Sequence, residues 1–490
     1  MDFTNLELSQ LREKLDNKEV SSVELTRFFL DRIKTDSYNS FLTIPEELAL
    51  KQAQIADEFI AGPGENPLLC GIPYAAKDLF CTKGVRTTAA SKILENYIPE
   101  YNATVINKLE EEKSVLVGKT NLDQFAHGSS TETSYYGPSK NPWDTTRIPG
   151  GSSGGSSAAV AARLVPWAMA TETGGSIRLP ASLCGVTGWK PTYGRVSRYG
   201  CIAMASSLDS MGAIGISVRD LAMVAQVLSG RDVKDSTTGL DENINFFDNL
   251  KAEVDGMTIG VPDEYFPEGL ENGVRTKVLD AISVLEKLGA KIKKVSVPHT
   301  RFGSLVYAIV APSEISSNLA RYDGIRYGHR SAEAKDLYEV YAKTRDEGFG
   351  IEAKRRILTG TYVLSHGYYD AYYKKAQKVR RLIMNEFDEV FKEVDLLAAP
   401  SSPNVAVPIG NALSNPLFGY IADQLNIPSS LGGLPALSLP AGFARSEDGG
   451  DSATELPVGL QLIGPQWSEQ KLFNAGAAFQ AETDFHKQRP

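Results

Sequence analysis

MTIGVP (257–262), NGVRTKVLDAISVLEKLG (272–289) and KIKKVSVP (291–298) follow one another, with nine residues before the second and one before the third. The first and last are short runs of strand length, rich in β-branched residues. The middle one puts Val274, Val278, Ile282, Leu285 and Leu288 on one face at helical spacing. Strand, helix, strand is a βαβ unit, in which the helix carries the chain back so that the two strands run parallel. The fold class read from it is α/β. Working outward, GIPYAAKDLF (71–80), SVLVGKTNLD (114–123) and LVPWAMATETGG (164–175) are apolar runs that end in turn residues, as expected of buried strands feeding loops. DLLAAP (395–400), LPALSLPAGF (434–443) and VGLQLIG (458–464) read the same way. Chemistry in such sheets gathers where strands end.

Helices are expected at both ends of this strand-rich span. Ser21 with Glu24 three residues on forms a capping box, after which Leu25, Phe28, Phe29 and Ile33 share a face. A long charged helix is expected over 366–393, and SEDGGDSATE (446–455) reads as a surface loop. At 490 residues, 42% hydrophobic and 23% charged, the chain can bury a large core. No low-complexity linker divides it, so it is read as one domain over 1–490, with N-terminal helices over about 1–60 and the chemistry-bearing core over about 65–215.

Composition excludes several classes of function. No uninterrupted apolar run approaches membrane-spanning length and MDFTNLELSQ at the start is polar, so the expectation is a cytoplasmic protein without a membrane partner. Cys70, Cys81, Cys184 and Cys201 lie far apart, which suggests buried free thiols in place of a zinc site or disulfide framework. The five histidines, His127, His299, His329, His366 and His486, have no metal-ligand spacing, and no metal is expected. A net charge of −9 argues against a chain that grips a polyanion over a broad face. VGKT (117–120) imitates the end of a phosphate loop, but that motif needs glycine where Lys113 stands.

The residues 150–157 read GGSSGGSS and run straight into AAVAARL; TGGSIRLP (173–180) follows, with Ser176 coming 24 positions after Ser152. A Gly/Ser octamer alone is an ordinary flexible linker. Here it has no low-complexity flank, and two Gly-Gly-Ser turns around a helix and a strand can bring two hydroxyls together. Such turns also expose backbone N–H groups of Thr173, Gly174, Gly175 and Ser176, the kind of donor that a tetrahedral oxyanion needs. A serine nucleophile requires a base. His127 is the nearest histidine, without a G-x-S-x-G elbow around it, and Lys77, at the end of an apolar run, is the alternative.

GIPYAAKD (71–78), GGSSGGS (150–156) and TGGSIRLPASLCGVTGWKPTYGRVSRYG (173–200) closely resemble the amidase signature family. The resemblance implies a mixed central sheet flanked by helices on both faces and a Ser, cis-Ser, Lys triad. Ser176 would form the acyl-enzyme, Ser152 would bridge from a cis peptide bond, and Lys77 would be the base, with Thr173, Gly174 and Gly175 as the oxyanion hole. To act so, Lys77 must lose about 2–3 units of pKa through burial.

Further stretches narrow the likeness within that family. TNLDQFAHGSSTETSYYGPSKNPWDTTRIPGGSSGGS (120–156), SRYGCIAMASSLDSMG (197–212), SHGYYDAYYKKAQKVRR (365–381), PVGLQLIGP (457–465) and the terminal TDFHKQRP resemble the glutamine-hydrolysing subunits of tRNA-dependent amidotransferases. That likeness implies a substrate site for free glutamine built from Tyr307, Arg356 and Asp423 together with Gly128 and Ser129. Arg356 suits an α-carboxylate and Asp423 an α-ammonium. It further implies B and C subunits as partners, with ATP and Mg used by B and the tRNA held mainly there, so that no cofactor is expected in this chain. Gln124, His127, Glu172 and Leu179 depart from the usual glutamate, methionine, aspartate and glutamine, and bear on how the pocket wall packs. His127 reads as a packed or capping residue. The rival readings are a stand-alone amidase for a small amide, with Arg356 and Asp423 away from the pocket, and a structural subunit, which would be expected to lack a triad member.

Overall fold

A computed structural model describes residues 2–239, 245–447 and 454–490. Eleven strands are hydrogen-bonded into one sheet: β1 (Phe41–Thr43), β2 (Pro73–Lys77), β3 (Val115–Thr120), β4 (Trp167–Glu172), β5 (Thr187–Lys190), β6 (Ser210–Gly215), β7 (Thr258–Pro262), β8 (Lys291–Val295), β9 (Leu396–Pro400), β10 (Ala436–Ala444) and β11 (Leu456–Ile463). Their order is β1-β3-β2-β4-β6-β5-β10-β11-β9-β7-β8. β2 runs parallel to β3 and β4, and β7 runs parallel to β8 and β9, while the other pairs are antiparallel. The sheet is therefore mixed. The βαβ unit read at 257–298 is present, with its helix at Asn272–Lys287. β8 closes one edge, where its exposed lysines blunt an otherwise open ladder.

Both faces of the sheet are covered, because side chains alternate along each strand. Trp167 and Met169 of β4 enter the core beneath helices Val218–Leu228, Asn272–Lys287 and Glu469–Glu482. Ala168 and Ala170 point the other way, toward helices Ser22–Ile33, Glu46–Ala61 and Gly154–Ala161. Near β9, Leu397 and Ala399 pack with helices Gly303–Asn318 and Lys374–Val390 on that second side. No helix among the described residues is long and apolar enough to cross a membrane.

The capping box is formed: Ser21 Oγ accepts from Glu24 N at 3.1 Å and Glu24 Oε2 accepts from Ser21 N at 2.8 Å. Two expectations need correction. The helix over 366–393 is shorter, because Tyr369–Tyr373 form a wider π-helical turn before the α-helix Lys374–Val390 begins. There Tyr369 stacks on Tyr373 at 5.3 Å and Tyr368 on Tyr372 at 5.9 Å. All four cysteines are free, but Cys201 is partly exposed because its loop lies at the surface, whereas the other three are buried. Most of the loop expected at 446–455 lies outside the described residues.

Candidate active site

Three parallel strands end side by side. Lys77 is the last residue of β2, Thr120 of β3 and Glu172 of β4, and the loops leaving them carry the predicted residues. Lys77 is fully buried, with Nζ 2.8 Å from Ser152 Oγ, 2.8 Å from Ser153 Oγ and 2.9 Å from Thr171 Oγ1. Burial disfavours its charged form and pushes its pKa down to about 7, against the pull of Cys201, Asp123, Asp209 and Glu172. The Gly151–Ser152 peptide is cis.

The two Gly-Gly-Ser turns touch: Ser153 N donates to Ser176 O at 3.3 Å. In the second turn the carbonyls are tied outward. Gly174 O accepts from Ser430 Oγ at 2.8 Å and from Arg178 Nη2 at 3.3 Å, and Gly175 O accepts from Leu179 N at 2.8 Å. Across a planar trans peptide the N–H opposes the C=O. The N–H groups of Gly175 and Ser176 therefore face away from those partners, and among the described residues nothing accepts from them. Ser176 is almost buried, at 5% exposure, so its hydroxyl meets little water.

Sequence reading missed the braces behind these turns. Asp123 is buried and its carboxylate accepts from Ser130 N (3.2 Å), Thr131 N (2.9 Å) and Thr133 Oγ1 (2.9 Å), which fixes the loop after His127. A side chain at Gly151 would overlap that carboxylate. Asp209 accepts from Thr173 Oγ1 at 2.7 Å. Glu172 and Arg178 form a fully buried ion pair, with Nε to Oε1 at 2.8 Å, and Glu172 Oε2 also accepts from Ile177 N at 2.9 Å and Arg178 N at 3.0 Å. Burial works to raise the Glu172 carboxyl, but the Arg178 charge and hydrogen bonds outweigh it and hold it below its usual value. Leu179 is buried in the core behind the turn, and Gln124 Oε1 accepts from Gly350 N at 2.7 Å. Asp123, Asp209 and Arg178 all stand within the family motifs, but which groups they hold shows only in space: Asp209 reaches 36 positions back to Thr173, while Asp123 and Arg178 close on neighbouring turns of their own loops. Arg178→Met strands the Glu172 carboxylate in the interior, and its expected cost is about 3–5 kcal/mol. Urea unfolding at neutral pH, read as a midpoint shift at constant slope, measures it.

Beyond the turn lies a cavity of about 170 Å³ lined by Gly128, Ser129, Glu352, Arg356, Gly419 and Tyr420. Arg356 Nε donates to Glu352 Oε1 at 2.6 Å, and its two terminal nitrogens hydrogen-bond to nothing among the described residues. Glu352 also pairs with Arg355 at 2.7 Å, so this end of the cavity carries two cations against one anion. Ser129 Oγ donates to Asp423 Oδ2 at 2.7 Å, while Asp423 Oδ1 is buried without a partner among the described residues. Burial pushes the Asp423 carboxyl up to about 7, opposed by the Ser129 hydrogen bond and by Arg178 and Arg356. Asp423 lies directly against Gly175, and the Tyr307 ring lies 3.3 Å from where a side chain on Gly174 would begin. The structure thus brings Tyr307 and Asp423 against the turn that bears Ser176, and Ser129, hydrogen-bonded to Asp423, joins them to the cavity lined by Gly128 and Arg356. His127 is fully buried and packs 6.2 Å from Phe125.

Comparison with known proteins gives matches over nearly the whole chain. The family model described as Amidase matches residues 24–473. The A subunit of glutamyl-tRNA(Gln) amidotransferase from Saccharophagus degradans is 53% identical over 489 residues, covering 99% of each chain. Its counterpart of the same name from Coxiella burnetii is 50% identical over 486 residues, covering 99% of this chain and 98% of its own. The crystal structure of the Thermotoga maritima counterpart superposes with a TM-score of 0.79 at 40% identity, covering 100% of this chain and 98% of the other. With the mixed eleven-stranded sheet and these matches over nearly its whole length, the chain belongs to the amidase signature family.

Proposed function

We propose that this chain is the glutamine-hydrolysing subunit of a tRNA-dependent amidotransferase, acting through a γ-glutamyl ester on Ser176. The observation that carries the reading is the charge pattern beside the Ser176 turn. A net positive end at Arg355, Arg356 and Glu352 and an unsatisfied carboxylate at Asp423 suit a zwitterionic amino acid. An uncharged amide would leave both ends unpaired in a buried site. In this reading Arg356 binds the α-carboxylate, Asp423 and Tyr307 take the α-ammonium end, and Gly128 and Ser129 form the wall between them.

The proton relay follows from counting donors. A neutral lysine has two N–H bonds and one lone pair. The Ser153 hydroxyl donates to Thr171 O at 3.1 Å, so it accepts from Lys77. Thr171 Oγ1 takes the second N–H, and the lone pair is left for the Ser152 hydroxyl. Ser176 Oγ attacks the carboxamide carbon while its proton passes to Ser152 Oγ and the Ser152 proton passes to Lys77. The oxyanion forms against the N–H groups of the 173–176 turn. Collapse breaks the C–N bond as the proton returns through Ser152 to the departing ammonia. Water then cleaves the ester by the same relay and releases glutamate.

The ammonia serves a B subunit that activates Glu-tRNA(Gln), Asp-tRNA(Asn) or both with ATP and Mg²⁺, and a C subunit joins the pair. The tRNA rests mainly on B, in keeping with the net charge of −9 here. This chain acts as a single cytoplasmic domain over 1–490, without a cofactor of its own.

Free enzyme needs Lys77 neutral and Asp423 ionised, and both are held near 7. Both forms are lost as pH falls, so kcat/KM is expected to drop below about pH 7 with a limiting slope approaching two. A bound ammonium keeps Asp423 ionised, so kcat should fall with a slope of one. Asp423→Asn should lower kcat/KM and reduce its slope to one. Initial rates of ammonia release between about pH 5.5 and about pH 8.5 measure these slopes. A slope of two persisting in Asp423→Asn contradicts the assignment.

A further inference from the structure

At the positive end of the cavity two guanidinium groups share one carboxylate: Glu352 Oε1 accepts from Arg356 Nε at 2.6 Å and from Arg355 Nη2 at 2.7 Å. Like charges held that close repel, and one anion offsets only one of them. A ring supplies further attraction. The Cζ atoms of Arg355 and Arg356 each lie 5.9 Å from the ring centroid of Tyr420, which lines the cavity with them. That is within the roughly 6 Å over which an aromatic ring attracts a cation. The Tyr420 hydroxyl has no hydrogen-bond partner among the described residues, so the ring carries the contact. Tyr420 is itself held on two sides. Its ring meets that of Tyr307 edge to face, with centroids 6.3 Å apart, and its carbonyl accepts from Ser304 Oγ at 3.0 Å. It belongs to the short helix Phe418–Ala422, which ends at Asp423. One turn therefore carries Tyr420 beside Arg356 and Asp423 against Gly175. The one side-chain hydrogen bond of Arg356, at Nε, leaves its guanidinium free to pivot, and a ring beside it removes that freedom.

We propose that Tyr420 is a positioning residue whose ring fixes the Arg356 guanidinium, with its two terminal nitrogens turned to the α-carboxylate of the bound amino acid. The proposal rests on the reading of this cavity as a site for free glutamine. The test is steady-state ammonia release from glutamine by the assembled enzyme carrying Tyr420→Leu or Tyr420→Phe, each made in the wild type and in Arg356→Met. Tyr420→Leu is expected to raise KM about tenfold and leave kcat within about twofold, because the interaction it weakens is the same in the ground and transition states. Tyr420→Phe keeps the ring and is expected to recover most of that loss. In Arg356→Met the group to be positioned is gone, so adding Tyr420→Leu should lower kcat/KM by no more than about twofold further. An unchanged KM in Tyr420→Leu overturns the proposal, as does a phenylalanine variant as impaired as the leucine one. A loss from Tyr420→Leu that is as large in Arg356→Met as in the wild type also overturns it and leaves Tyr420 a packing residue. A wild-type enzyme that does not hydrolyse glutamine overturns the underlying reading and the proposal with it, so the two failures are distinguishable.

Discussion

Ser176→Ala is expected to lower glutamine hydrolysis by about ten-thousand-fold or more, the scale seen when a serine hydrolase loses its nucleophile. The substitution removes one oxygen from a turn held by other groups. Glu172, Arg178 and Ser430 tie down the 172–178 backbone and Ser153 N donates to the Ser176 carbonyl, so the fold and the glutamine site should persist. The variant should still bind glutamine with a dissociation constant within a few-fold of the wild-type KM, yet form no covalent glutamyl adduct. In an assembled complex it should still support amidation from added ammonium salts, since the proposed division of labour leaves the later chemistry to a partner subunit. Mass spectrometry of the intact chain after rapid quenching, together with ammonium-dependent amidation, separates these outcomes. Glutamine-dependent amidation that survives the substitution would remove Ser176 from its role.

Lys77→Met should be nearly as inactive, by about a thousand-fold or more, because among the described residues Lys77 is the one base hydrogen-bonded to the Ser152 hydroxyl. Its effect on stability should have the opposite sign. The unfolded lysine binds a proton up to its ordinary pKa, whereas the folded one releases it near 7. Between those values the unfolded chain holds more protons, so this group costs stability that is recovered only as pH rises toward 10 or so. At pH 7 that cost is on the order of 4 kcal/mol. Methionine avoids it while forfeiting three contacts to hydroxyls at about 1 kcal/mol each. The variant is therefore expected to be about 1 kcal/mol more stable than the wild type at pH 7, and to lose this advantage at pH 10. Thermal unfolding at the two pH values tests it, and a variant less stable at pH 7 would show that Lys77 is buried charged.

The strands at 73–77, 115–120, 167–172, 258–262 and 396–400 were legible because each is a short apolar run ended by turn residues. β5 and β6 were not, since TGWK and SMGAIG are rich in small residues and owe their pairing to neighbours distant in sequence. Helix Gly303–Asn318, which carries Tyr307, is apolar on most sides and contains Pro312, so it shows no clear stripe. In the site, Lys77, Ser152 and Ser176 stood out because their motifs are local and unusual. Ser153 and Thr171 were missed as partners of Lys77 because any serine or threonine in such a stretch looks alike until distances are known. The same holds for the Asp209 brace on Thr173 and for the orphaned nitrogens of His127, which only burial reveals.

The most direct test of the account is ammonia release from glutamine by the assembled enzyme, set against release from a small uncharged amide such as benzamide. The charge pattern around Arg356 and Asp423 predicts that glutamine is strongly preferred, by at least about a hundred-fold in kcat/KM, and that this preference disappears in Arg356→Met. Cleavage of benzamide with little or no cleavage of glutamine would contradict the account and make the protein a stand-alone amidase.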